Sequence, residues 1–303
     1  MEKFLLSCES CIDMPYEYIK RRNVSVLFYT YEVNGEVFYD DMGEVVKTKK
    51  TEKAEDGSEK FWNTQREGVC PVTSPISQKC YYDYFEKISA SDDVLHISLG
   101  SGISKSFFNA LSAAKELMEK YPERKIAVLD THCLSGGYGM AVDLACDLRD
   151  GGCGFDELSS QLSDECRKIH HRFFTSDLSF LRKSGRLSSV FSTVASALGS
   201  CQIMQLDFDG NIVVCDKVRG ENKAVEEIAI AMAGRCRGGF EYADKCFICH
   251  SDNAASAEAL RTKLEENFEK LTGKIKIFGM GPITGAHCGP GTVALFFFGE
   301  ERQ

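Results

Sequence analysis

The sequence predicts an α/β protein of two domains, an N-terminal mostly parallel sheet with flanking helices and a C-terminal α/β domain containing an antiparallel hairpin. Two observations in the first half and one in the second carry this expectation. Val94–Ser98 is a short apolar run that passes through Gly100-Ser101-Gly102 into a helical pattern, and Ile126–Asp130 does the same through Ser135-Gly136-Gly137-Tyr138-Gly139. Repeated strand, glycine-rich turn and helix is the pattern of a parallel sheet with helical crossovers. In the second half, Gln202–Leu206 and Ile212–Cys215 flank Asp209-Gly210, a dipeptide suited to a tight hairpin.

The elements follow in order. After Gly102, Phe107, Leu111, Ala114 and Met118 fall on one helical face; after Ser135, a helix carries Met140, Leu144 and Leu148. A helix from about Asp156 to His170 closes the first domain, placing the domains at residues 1–170 and 171–303. Beyond the hairpin, a helix turns Val225, Ile228, Ala229 and Met232 inward, Cys246–Cys249 forms a strand, and a helix bears Leu260, Leu264, Phe268 and Leu271. Strands around Ile275–Phe278 and Val293–Phe296 end the chain. Between Met42 and Val69 the charges of Lys47–Gly57 cannot bury a face, so this stretch is predicted to be a surface excursion.

A chain of 303 residues with 43% apolar residues can bury the core of two packed domains. A net charge of -9 and a pI near 5.3 oppose general affinity for nucleic acid or anionic membranes. No stretch approaches the roughly 18 apolar residues of a spanning helix, and the apolar run within Met1–Cys8 is too short for a signal peptide. A cytoplasmic protein, not an integral membrane one, is therefore expected. The 14 cysteines read as reduced, buried small residues. Cys246-Phe247-Ile248-Cys249-His250 has the spelling of a haem attachment site, and Cys8-Glu9-Ser10-Cys11 adds a second Cys-x-x-Cys pair. Haem attachment would require export, and the strand pattern turns Cys246 and Cys249 to opposite faces, so no metal or cofactor is expected.

Three short segments have the chemistry of an anion site. Gly100-Ser101-Gly102-Ile103-Ser104 joins a strand to a helix start, where free N–H groups and two hydroxyls favour a carboxylate or phosphate. It lacks the third glycine of a dinucleotide fingerprint and the lysine of a P-loop. Thr73-Ser74-Pro75-Ile76-Ser77 offers three hydroxyls before a helix through Tyr81, Tyr82 and Phe85. In the tail, two Gly-Pro pairs bracket Thr284 and His287 on a predicted loop, where a histidine can donate to a carboxylate and gain charge beside it. Arg186 and Arg219 stand at element ends, from which a guanidinium fork can reach an anion.

Taken in order, Glu9-Ser10-Cys11-Ile12-Asp13-Met14-Pro15, Thr73-Ser74, Ser101-Gly102-Ile103-Ser104, Asp130-Thr131 with Ser135–Gly139, Leu181–Arg186, Lys217-Val218-Arg219-Gly220 and Gly281–Gly291 resemble the DegV family of bacterial fatty-acid-binding proteins over nearly the whole chain. The resemblance implies one long-chain fatty acid enclosed near the domain junction, its carboxylate held by Thr73, Ser101 and His287, with Ser74, Gly102, Ser104 and Thr284 in support. It also implies that Arg186 and Arg219 present the acid to a separate fatty acid kinase, which makes acyl phosphate from ATP for phospholipid synthesis. The chain would then be a carrier and not itself an enzyme. Glu9 stands where the family has aspartate, Ser184 where it has glycine, and Met204 where proline is common, the last suggesting a reshaped tail pocket. The competing expectation is an acyl-transfer enzyme using Ser101, or a cysteine, with His287 as base.

Overall fold

The computed structural model describes residues 3–40, 42, 57–187 and 199–303. The first half runs β1 (Phe4–Glu9), α1 (Tyr16–Arg21), β2 (Val24–Leu27), β3 (Thr30–Val33), β4 (Glu36–Tyr39) and α2 (Gly57–Arg66). It continues through β5 (Val72–Thr73), α3 (Gln78–Ile88), β6 (Asp93–Ser98), α4 (Ser106–Lys120), β7 (Ile126–Asp130), α5 (Ser135–Asp150) and α6 (Phe155–Cys166). β1, β2, β6 and β7 form a fully parallel sheet in the order β2-β1-β6-β7, as the repeated strand, turn and helix units require. β3, β4 and β5 form a small antiparallel sheet that the sequence reading had not assigned.

The second half comprises β8 (Ile169–Thr175), α7 (Ser179–Lys183), β9 (Ser200–Leu206), β10 (Ile212–Arg219), α8 (Glu221–Ala233), β11 (Cys246–His250), α9 (Ala254–Asn267), β12 (Lys276–Gly279), α10 (Pro282–Cys288) and β13 (Val293–Phe298). Its six strands lie in the order β10-β9-β8-β13-β11-β12, antiparallel except for the parallel β11–β12 pair. The Asp209-Gly210 turn closes the β9–β10 hairpin, with Gly210 at φ 83°. One continuous apolar core runs beneath both large sheets.

Four expectations shift. The helix predicted to reach His170 stops at Cys166, because Ile169–Thr175 is a strand buried along its whole length although it carries His170, His171 and Arg172. α4 buries Ala110, Ala113, Ala114 and Leu117 and leaves Phe108 and Leu111 exposed, so its small residues face the sheet. The stretch from Met42 to Val69 holds a packed helix: α2 seats Phe61 and Trp62 against Ala286. The charged run to Asp56 lies outside the described residues. Finally, His287 sits on helix α10 and not on a loop, with Pro282 in its first turn and Gly289 beyond its end at φ 69°.

No helix among the described residues is long and apolar enough to cross a membrane. Cys8, Cys11, Cys246 and Cys249 are buried, and burial pushes each thiol up.

Candidate functional site: an enclosed apolar cavity with a polar head

The parallel sheet directs the ends of its strands toward the second sheet, and a cavity of about 770 Å³, including the solvent it opens to, lies at that seam. Ligands in open α/β sheets bind beyond the carboxyl ends of the strands. Cys11 after β1, Leu99 after β6 and Leu134 after β7 supply one wall; Phe173 of β8, Ala294 of β13 and Ile212 of β10 supply the other. Leu181, Met280, Ile283 and Cys288 extend the apolar lining.

Polar groups cluster on three approaching segments. Thr73 Oγ1 lies 2.7 Å from His287 Nε2, joining β5 to α10. His287 Nδ1 is buried without a hydrogen-bond partner. Burial, with the Arg186 guanidinium nearby, holds His287 down to about 3, so the ring is neutral at pH 7. The expected charge on the ring requires a neighbouring anion, and the cation that lines the cavity is Arg186. Arg186 lines the cavity and bonds through Nη1 to the Ser184 carbonyl.

Ser104, Ser74 and Thr284 also line the cavity, whereas Ser101 and Gly102 do not. The Ser101 N–H donates to Asp130 Oδ1 at 3.1 Å, bracing the turn. Ser104 instead presents the hydroxyl of this turn and donates to Ser106 Oγ at 3.1 Å. Gly102 serves packing between chain segments: a Cβ there would stand 2.8 Å from the Asp209 carbonyl oxygen at the hairpin tip. Arg219 is exposed at the end of β10 and Met204 is buried between strands; neither lines the cavity. Since Ser101 shares no cavity with His287, the geometry does not assemble the serine and base of an acyl-transfer site.

Tyr29 was missed by the sequence reading. It lines the cavity, and its hydroxyl donates to Ser106 Oγ at 2.7 Å, so Ser104, Ser106 and Tyr29 form one chain of hydroxyls. Nothing in a lone tyrosine between short strands signals this. Trp62 was missed as well, although the single tryptophan of the sequence is a visible signal. A Cβ at Gly285 would stand 2.4 Å from its ring, so only glycine lets α2 lie on α10. Gly285→Ala is expected to destabilise the protein by about 1–3 kcal/mol and to shift the emission of Trp62, the only indole. Unchanged emission and stability would show that α2 does not press on this helix.

A parallel sheet and a mixed sheet bordering an apolar cavity with a polar head define the class as an α/β protein with a candidate ligand cavity. The family model described as "Uncharacterised protein, DegV family" matches residues 3–300, and the chain belongs to the DegV family. A DegV domain-containing protein of Clostridium perfringens is 27% identical over 100% of both chains. Among solved structures, a fatty-acid-binding DegV family protein from Thermus thermophilus superposes with a TM-score of 0.81 at 24% identity, covering 98% of this chain and 99% of that one. The Streptococcus pneumoniae fatty acid kinase B3 protein, loaded with linoleic acid, superposes with a TM-score of 0.80 at 20% identity, covering 99% and 100%.

Proposed function

We propose that this protein encloses one long-chain fatty acid in the cavity and presents its carboxylate to a separate ATP-dependent fatty acid kinase, without turnover of its own. The observation that carries the proposal is the pairing of a largely apolar cavity with the Thr73, His287 and Arg186 cluster, in which His287 Nδ1 is buried and unsatisfied. A buried polar atom without a partner calls for a missing one. The two solved structures named above support a fatty acid as that ligand.

The chemistry is consistent with this reading. Each buried CH₂ contributes about 0.8 kcal/mol, so a tail of about 14 methylenes gains on the order of 10 kcal/mol in an apolar cavity. The carboxylate needs donors in compensation. Neutral His287, whose Nε2 accepts the Thr73 hydroxyl, can donate its Nδ1–H, and Ser104 can donate on turning from Ser106, while Arg186 supplies the positive charge. Ser74 and Thr284 border the site, and Ser101 holds the turn that aims Ser104. Exposed Arg219 is assigned to the kinase-facing surface.

Native mass spectrometry of protein purified without added lipid is expected to show one fatty acid per chain, and acyl phosphate is expected only when kinase and ATP are added. Absence of bound lipid, together with failure to bind added fatty acids, would end this reading. His287→Ala is expected to weaken fatty-acid binding by about 1.5–3 kcal/mol, roughly 10- to 100-fold, measured by displacement of a fluorescent acid. Because Thr73 and His287 are hydrogen-bonded, Thr73→Val in the His287→Ala background should cost less than it does alone. Additive losses would place the two side chains at separate sites.

A further inference from the structure

We propose that Asp13 takes up a proton from solvent when the ligand carboxylate binds, so that the acid is captured together with one proton and held less tightly as pH rises. This rests on the fatty-acid reading of the cavity. Asp13, 6% exposed, follows β1 and stands behind the cavity wall. Its Oδ2 accepts the Ser135 hydroxyl at 2.5 Å, its Oδ1 accepts the Gly281 N–H at 2.8 Å, and the Thr284 hydroxyl bonds to it as well. Ser135 and Thr284 line the cavity, whereas Asp13 does not. Thr284 also precedes His287 by one turn on the same face of α10. One layer of hydroxyls therefore separates the Asp13 carboxylate from the space proposed for the ligand.

Those hydroxyls cannot serve both sides at once. While Asp13 is ionised, Ser135 and Thr284 give it their protons and turn only lone pairs toward the cavity. A carboxylate brought to that wall meets acceptors, with a second negative charge behind them. Protonation reverses one link: the Asp13 O–H donates to a hydroxyl oxygen, and that hydroxyl is free to donate to the ligand. No neighbouring cation removes the conflict, because Asp13 is in no ion pair among the described residues. The titratable groups around it are Cys11 on its own loop, Cys288 on α10, Cys249 on β11 and Asp40 after β4. Burial pushes the three thiols up and keeps them neutral, and Asp40, which flanks Gly281 together with Asp13, is itself an acid. Arg186, the cation of the cavity, bonds to the Ser184 carbonyl instead. Burial already pushes Asp13 up to about 6 from 3.8, which leaves it mostly ionised at pH 7. A bound carboxylate, a like charge in the same low-dielectric space, pushes it further. The bound value then exceeds the free one, so binding weakens as pH rises from about 6.

Calorimetric titration of palmitate into the lipid-free full chain at pH 7, in phosphate and in Tris, counts the protons exchanged, because the two buffers differ in their heat of ionisation. The wild type is expected to take up about one proton per palmitate and to lose about tenfold in affinity between pH 6.5 and 8. In Asp13→Asn the amide imitates the protonated carboxyl. That variant is expected to bind palmitate without proton uptake and, at pH 8, about tenfold more tightly than the wild type. His287→Ala is expected to bind more weakly but to keep the uptake, which decides the matter even if the asparagine variant does not fold. Uptake that persists in Asp13→Asn, or that is lost in His287→Ala, assigns the proton to His287 and overturns the proposal. Failure of palmitate to bind the wild type removes the carrier reading and this one with it; binding without proton uptake removes only this one.

Discussion

Glu9→Gln is expected to lower the unfolding free energy by about 3 kcal/mol at pH 7, the largest stability loss anticipated for a single isosteric change in this fold. Glu9 is fully buried at the end of the central strand β1 and serves as the acceptor for five donors. Oε1 accepts from Tyr81 Oη at 2.6 Å and Ser98 Oγ at 3.0 Å, and lies 3.1 Å from His96 Nε2. Oε2 accepts from the Leu99 N–H at 3.0 Å and from the Tyr138 hydroxyl. Glutamine offers one acceptor oxygen and turns an NH₂ toward fixed donors. The hydroxyls can rotate, but the Leu99 N–H or the His96 ring is left unsatisfied.

The pH dependence follows from the same contacts. Burial opposes the charge, yet the His96 ring and the hydroxyls of Tyr138 and Tyr81 outweigh it and hold Glu9 down to about 2, from an ordinary value of 4.5. The unfolded chain therefore takes up a proton first as pH falls. The stabilisation is complete above about 4.5 and is lost as pH drops toward 2, amounting to about 3 kcal/mol over the window. Urea denaturation of both proteins across this range should show the wild-type advantage at pH 6 and almost none at pH 2. A difference that persists unchanged at pH 2 would mean that the network does not depend on a charged Glu9. Asp13 runs the other way: burial pushes it up to about 6 despite hydrogen bonds from Ser135, the Gly281 N–H and Thr284. Its contribution is greatest at low pH and declines as pH rises through 6.

What could be read from the chain follows the range over which each signal acts. Strand, turn and helix units around Val94–Ser98 and Ile126–Asp130 are local patterns, and they appear where expected. The Asp209-Gly210 hairpin is set by two residues and is likewise present. The boundary between α6 and β8 is less legible, and the helix expected to about His170 overruns the first two residues of a strand that is buried on both faces and shows no alternation. The two Gly-Pro pairs around His287 suggest a loop, although proline early and glycine late is also the usual boundary of a short helix, which is what forms. The anion turn shows the limit of spacing alone. Ser101 and Ser104 carry the same hydroxyl three residues apart, and only the hairpin tip packed on Gly102 fixes which of them borders the cavity. Tyr29 depends wholly on long-range packing, its partner Ser106 being supplied by another crossover unit.

The depth of the cavity sets the second large effect. Ala294 lines it from β13, in register with Phe173 on one side and Cys249 on the other, and is 2% exposed. Ala294→Phe would fill space with a ring that displaces about four methylenes of a bound tail. At about 0.8 kcal/mol each, that is about 3 kcal/mol, or two orders of magnitude in the affinity for a long acid. An acid of eight carbons, which does not need the displaced length, should lose little. The ratio of the two affinities therefore separates a shortened cavity from general damage, while urea denaturation reports the overpacking cost of about 1–3 kcal/mol. Equal losses for short and long acids would indicate a disturbed head group, and no loss for either would place the tail away from β13. The contrast with His287→Ala is diagnostic, because removing a carboxylate donor weakens every chain length by the same factor whereas filling the tail space penalises length. A protein that responds in both ways binds its ligand by two independent terms, one polar and fixed, the other apolar and proportional to the methylenes enclosed.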